Sequence, residues 1–122
     1  MTRTVLVVDD DAGIRNLLEF RLEKSGFGVR TCKNGYECLD ALREGALPAA
    51  VRLDVRMPRL DGMDVLDTIR TEFADLPVVL LSGVKPAGEI EEMSAVAAHI
   101  EKPFRMEEVI ACLERVLDGR KI

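Results

Sequence analysis

The sequence predicts an α/β domain: a five-stranded parallel sheet, doubly wound, with helices on both faces. Three observations predict it. Strand-like and helix-like stretches alternate five times along 122 residues, the pattern of repeated βα units. Thr4–Val8 is short and apolar on both faces, as a strand buried between two helical layers should be. Acidic residues gather at strand ends: Asp9-Asp10-Asp11 follow the first strand, and Asp54 closes the third. Right-handed crossovers leave few topologies. Of the common doubly wound orders, 2-1-3-4-5 suits five strands best.

Each element has its own local justification. Thr4–Val8 is rich in β-branched residues. From Ala12 to Lys24, Ile14, Leu17, Leu18 and Leu22 recur at helical spacing, with Asp11 placed to cap the start and Ser25-Gly26 to end it. Val29–Cys32 is a second, shorter strand; Gly26-Phe27-Gly28 before it is a turn and not a dinucleotide fingerprint, because it precedes a strand rather than a helix. Asn34 with Glu37 three residues on reads as a capping box for a helix that turns Leu39 and Leu42 inward and ends at Gly45. Ala49–Val55 is the third strand, carrying Asp54 near its end and stopped by Pro58. Asp61-Gly62 is turn chemistry, and a helix runs from Gly62 to Phe73 with Met63, Leu66 and Ile69 on its apolar side. The fourth strand, Val78–Leu81, ends at Ser82-Gly83. Glu89–Ala98 reads as a weak helix, poor in large apolar residues. A brief strand over Ala98–Glu101 leads into Lys102-Pro103-Phe104. The last helix, Met106 to about Leu117, would bury Val109, Ile110, Leu113, Val116 and Leu117, with Gly119 ending it.

Composition excludes several classes. Hydrophobic residues make up 48% of the chain, too many for a disordered segment, and 32% charged residues argue for a soluble surface. The net charge of −5 and the lack of a basic run disfavour a nucleic-acid binder or a membrane-surface protein. Cys32, Cys38 and Cys112 are odd in number and lack metal-ligand spacing, so reduced thiols filling core space are expected. The methionines read as scattered core fillers. No apolar run reaches transmembrane length, and the chain passes from Met1-Thr2-Arg3 straight into a strand, so a cytoplasmic protein without a signal peptide is expected. There is no linker, repeat or low-complexity segment, and residues 1–122 are expected to form one domain.

In the predicted strand order the first and third strands are neighbours, so Asp9, Asp10 and Asp54 converge at one pocket at the sheet's C-terminal edge. Carboxylates at that range repel unless a cation neutralises them. Hard oxygen ligands of this kind suit Mg²⁺, whereas Asp11 is better explained as a helix cap. Ser82 and Lys102 at the next two strand ends add a hydroxyl and a cation. A carboxylate, a hydroxyl, an ammonium and Mg²⁺ together match phosphoryl transfer, with Asp54 as the nucleophile that forms an acyl phosphate.

Val7-Val8-Asp9-Asp10-Asp11, Leu53-Asp54-Val55-Arg56-Met57-Pro58 with Asp61-Gly62, Leu81-Ser82-Gly83, and Glu101-Lys102-Pro103-Phe104 occur in that order. Together they resemble a bacterial two-component response-regulator receiver domain, over essentially the whole chain. The resemblance implies a flavodoxin-like receiver fold and Mg²⁺-dependent phosphoryl transfer to Asp54 from a histidine kinase or phosphotransfer protein. It implies Mg²⁺ held by Asp10, Asp54 and the backbone carbonyl of Arg56, with Asp9 acting largely through water. Ser82 and Lys102 would bind the phosphoryl oxygens and relay the change to the face of the fourth helix, fifth strand and fifth helix. A downstream effector domain or protein partner would read that face. On this reading the chain is no enzyme but a phosphoacceptor that assists its own phosphorylation and dephosphorylation.

Three positions depart from the family's pattern. His99 stands three residues before the lysine, where the family usually has the Tyr or Phe of its switch. The span from Ser82 to Lys102 is slightly short and contains Pro86, so the fourth helix is expected to be short or displaced. Arg52 occupies a strand position that is normally aliphatic, on the same strand face as Asp54. A buried arginine needs a partner, and two routes stay open to it: outward between helices, or into the acidic pocket. These departures also admit a pseudo-receiver that binds a partner without phosphate. A small acyl-phosphate phosphatase would need a substrate pocket and cap that this pattern does not supply. The complete set of acids, hydroxyl and lysine favours the phosphorylated switch.

Overall fold

The computed structural model describes residues 3–54, 62–82, 96–101 and 105–117. The elements run β1 (Thr4–Val8), α1 (Ala12–Lys24), β2 (Gly28–Cys32), α2 (Gly35–Glu44), β3 (Ala50–Asp54), α3 (Gly62–Glu72), β4 (Val78–Ser82), β5 (Val96–Glu101) and α4 (Met106–Leu117). All strand pairs are parallel and their order is β2-β1-β3-β4-β5, as expected from the sequence.

Alternation along the strands divides the interior into two layers. Leu6, Val8, Val51, Leu53, Val78 and Leu80 face Leu39 and Leu42 of α2 and Val65, Leu66 and Ile69 of α3. Val5, Val7, Ala50, Val79 and Leu81 face Leu18 and Leu22 of α1 and Val109, Leu113 and Val116 of α4. Burying a side chain of this size contributes roughly 1.5–3 kcal/mol, so these two layers are the main source of stability. The three cysteines are free and buried, Cys32 and Cys38 in the first layer and Cys112 in the second.

The helix ends follow the expected chemistry. Asp11 accepts from the Ile14 N–H at 3.1 Å, capping α1. At its other end Gly26 adopts a left-handed φ of 94°. The Phe27 N–H then reaches the Leu22 carbonyl at 3.1 Å, and the Gly26 N–H reaches that of Glu23 at 3.0 Å. Phe27 and Leu22 share the second apolar layer, which completes a Schellman stop. Asn34 accepts from the Glu37 N–H at 2.9 Å, as a cap should, while the Glu37 carboxylate accepts from the N–H of Lys33, one residue before the cap, at 2.9 Å, rather than from that of Asn34 as a capping box would have it.

Two further expectations are corrected. Val96 and Ala97, read as part of a weak helix, belong to β5, which begins two residues before the Ala98 start expected for it. Val96 pairs with Val78 and Ala98 with Val79, so one extra residue, Ala97, is accommodated where the register shifts. The pairing with β4 overrides the helical preference of an alanine-rich run. Leu17 is 45% exposed rather than part of the buried stripe, because it lies one residue from Leu18 and so about 100° around the helix. The remainder of the predicted Glu89–Ala98 helix, the Pro58 and Asp61 turn, and Gly119 lie outside the described residues.

Candidate functional site

β1 and β3 are neighbours in register, with Val8 opposite Leu53, so their C-terminal ends arrive at the same edge of the sheet. Asp9 directly follows β1, where its N–H extends the pairing by donating to the Cys32 carbonyl at 3.1 Å. Asp54 is the last residue of β3, opposite Leu81 of β4. Asp9 and Asp54 are buried and Asp10 is exposed. One carboxylate oxygen from each of the three lies within 4.8 Å of the others. The expected convergence of Asp9, Asp10 and Asp54 is therefore present.

The surroundings of Asp9 are more constrained than the motif alone implies. Its Oδ1 accepts from the Asp11 N–H at 2.8 Å. Its Oδ2 accepts from Arg52 Nη1 at 2.6 Å, an ion pair whose side chains are 0% and 2% exposed. The same Nη1 lies 3.4 Å from the Val8 carbonyl. Arg15, half-buried on the first turn of α1, donates from Nη1 to the Asp9 carbonyl at 2.7 Å. Arg52 thus takes the second of its two open routes, into the acidic pocket.

Arg15 was not anticipated as a neighbour of the site. Its position four residues after the capping Asp11 points it back over the strand end, and that spacing was the available signal. Ser82 ends β4, with its backbone in register with Glu101, and His99 lies in β5 in register with Leu80. Both positions fall on the strands expected for them. Arg56 and Lys102 lie outside the described residues.

A set of three carboxylates on adjacent strand ends supplies hard oxygen donors and accumulated negative charge, which fits a small divalent cation such as Mg²⁺. The thiols offer no comparable chemistry. Burial pushes Cys32 up to about 11 and Cys38 up to about 12, so neither presents a thiolate near neutral pH.

Comparison with known proteins settles the family. Residues 5–114 match the family model of the response regulator receiver domain. The chain belongs to that family: it is a receiver of two-component signal transduction. Response regulator MprA of Mycobacterium sp. (strain KMS) is 37% identical over 115 residues, covering 93% of this chain and 50% of the relative. The chain thus spans about half the length of the curated relatives it matches. The solved receiver domain of NtrX from Brucella abortus is 36% identical with a TM-score of 0.78, covering 93% of this chain and 98% of that one. TrrA of Thermotoga maritima, a response regulator solved in complex with Mg²⁺-BeF, is 29% identical with a TM-score of 0.80, covering 94% and 99%. Receiver family, parallel α/β fold and acidic cluster agree.

Proposed function

We propose that Asp54 is the phosphoacceptor of this receiver, taking a phosphoryl group from a histidine kinase or phosphotransfer protein. The observation that carries the reading is the grouping of Asp54 with Asp9 and Asp10 at the C-terminal edge of the sheet in a chain of this family. An Asp54 carboxylate oxygen attacks phosphorus, the bond from phosphorus to the donor breaks, and an acyl phosphate forms. Asp10 and Asp54 would hold Mg²⁺ together with the Arg56 backbone carbonyl, with Asp9 contributing at longer range. When bound, Mg²⁺ neutralises the carboxylates and the charge on the phosphoryl oxygens. Mg²⁺-BeF in the TrrA complex supports this choice of ion.

Ser82 and Lys102 are proposed as the groups that take up the phosphoryl oxygens, and Ser82 with His99 as the pair that passes the change to the output surface. The chain acts on itself as a phosphoacceptor rather than on a separate substrate. Among the described residues no helix is long and apolar enough to cross a membrane. We place the protein in the cytoplasm, where an effector domain or partner protein would read its state.

The test uses a small phosphodonor with Mg²⁺. Intact mass should rise by one phosphate, hydroxylamine should remove it, and Asp54→Asn should abolish it while leaving the circular dichroism spectrum unchanged. The NMR resonances of the lone histidine, His99, should shift on phosphorylation. Phosphate on the Asp54→Asn protein at the wild-type rate would overturn the assignment of Asp54. An unmoved His99 would remove it from the switch.

A further inference from the structure

Arg52 sits in the middle of β3, in register with Val7 on one side and Val79 on the other, and its side chain is fully buried. Its neighbours on that sheet face are the apolar residues packed beneath α1 and α4. A guanidinium in such a layer stays charged, because arginine does not give up its proton in proteins. It reaches charge at the top of the layer: Nη1 lies 2.6 Å from Asp9 Oδ2. That carboxylate belongs to the cluster in which Asp9, Asp10 and Asp54 lie within 4.8 Å of one another.

The cation therefore enters the acidic cluster from inside the protein, on a side chain rooted in the same strand as Asp54. Asp9 is committed on both oxygens, to Arg52 through Oδ2 and to the Asp11 N–H through Oδ1, while Arg15 holds its carbonyl. Among the described residues, the three carboxylates thus meet one cation on a carboxylate oxygen, Arg52, and another at the Asp9 carbonyl, Arg15, so part of their charge is offset from within the protein.

Resting on the reading of this cluster as a divalent-metal site, we propose that Arg52 is a resident counter-ion that sets the site's affinity for the metal. It balances one carboxylate that a divalent ion would otherwise balance. It also withdraws Asp9 from the ligand set and leaves Asp10 and Asp54 as the metal's carboxylates. The metal-free receiver is spared the full repulsion of three acids, and the metal is bound correspondingly less tightly.

Mn²⁺ alone is the probe, titrated by the electron paramagnetic resonance signal of the free ion at fixed ionic strength. Arg52→Met should bind Mn²⁺ at least about tenfold more tightly than wild type, since a cation adjoining the ligands is gone. The Asp9→Asn/Arg52→Met protein, which loses one negative and one positive charge together and so keeps the net charge of wild type, should bind within about threefold of wild type. Equal or weaker binding by Arg52→Met, with wild type binding measurably, overturns the counter-ion role and leaves the receiver reading standing. If Arg52→Met does not fold without metal, the double variant decides. Binding more than about tenfold weaker than wild type would show Asp9 acting as a ligand despite its arginine, and would overturn the proposal. Failure of all three proteins to bind Mn²⁺ would overturn the metal-site reading itself, and this inference with it.

Discussion

Asp9→Asn, examined in metal-free protein with a chelator present, separates the ion pair from the rest of the site. Asparagine has nearly the same shape and keeps an Oδ1 to accept the Asp11 N–H, so no cavity opens and that hydrogen bond survives. What disappears is the negative charge facing a guanidinium that is 0% exposed. Leaving one member of a buried pair without its partner costs about 3–5 kcal/mol. Relief of repulsion with Asp10 and Asp54 works the other way. For a pair of charges roughly 5 Å apart this is about 1 kcal/mol with exposed Asp10, at an effective dielectric near 80, and about 1–3 kcal/mol with buried Asp54, at about 20–80, or about 2–4 kcal/mol together. The net expectation is a loss of about 1 kcal/mol, or roughly 3–5 °C in Tm for a domain of this size. Thermal and urea unfolding in EDTA measure it. Added salt should change the loss little, because the pair is buried. Arg52→Met should also destabilise, whereas the Asp9→Asn/Arg52→Met protein should return to within about 1 kcal/mol of wild type, since removing both charges together leaves neither stranded. Additive losses in the double variant would refute the coupling, and with it the reasoning that Arg52 is held for Asp9.

Asp10→Asn should stabilise the metal-free protein by only about 1 kcal/mol, because Asp10 is exposed and Arg52 already offsets part of the cluster. Mg²⁺ should raise the Tm of wild type more than that of this variant, and equal rises would argue against Asp10 as a ligand. The cysteines predict a fall in stability at alkaline pH. Burial holds Cys32 and Cys38 protonated up to about 11 and 12 against an unfolded value of 9.0. Their contribution is complete below pH 9.0 and is lost as pH rises through the folded values, because the unfolded chain then binds fewer protons. Cys38→Ala should show a shallower fall between pH 9 and pH 11 in urea unfolding, and an unchanged slope would reject the assignment.

The fold was legible because each level of the sequence agreed with the next. Apolar strands of about five residues, caps at Asp11 and Asn34, and a glycine stop at Gly26 all point to the same βα units, and local agreement of this kind favours one topology. The acidic cluster was legible for a related reason: it needs only strand order and strand ends, and both follow from that alternation. β5 was less legible because Val96-Ala97-Ala98 has no strong local preference for a strand. Its conformation comes from pairing with Val78 and Val79, and the extra Ala97 breaks the alternation that would have revealed it.

Arg52 marks how far strand parity can carry such a reading. In β3, Val51 and Leu53 face α2 and α3, while Ala50 lies in the opposite layer with α1 and α4. Parity therefore puts Arg52 on the Ala50 and Asp54 side, and a cation one residue later would have entered the α2–α3 layer among Val8, Val65 and Leu66. That much follows from counting residues. The direction of a long side chain within its layer does not, because it depends on which end of the layer offers charge and which is closed by packing. Val5, Leu18, Leu22, Leu113 and Val116 fill this layer with apolar groups, while Asp9 stands at the end of β1 with an oxygen 2.6 Å from the guanidinium. Desolvating a guanidinium against aliphatic side chains is costly, whereas the Asp9 carboxylate supplies both countercharge and a hydrogen-bond acceptor. The choice between the two routes is thus made by tertiary packing, and that packing brings the arginine to the acids through which this receiver would bind its metal.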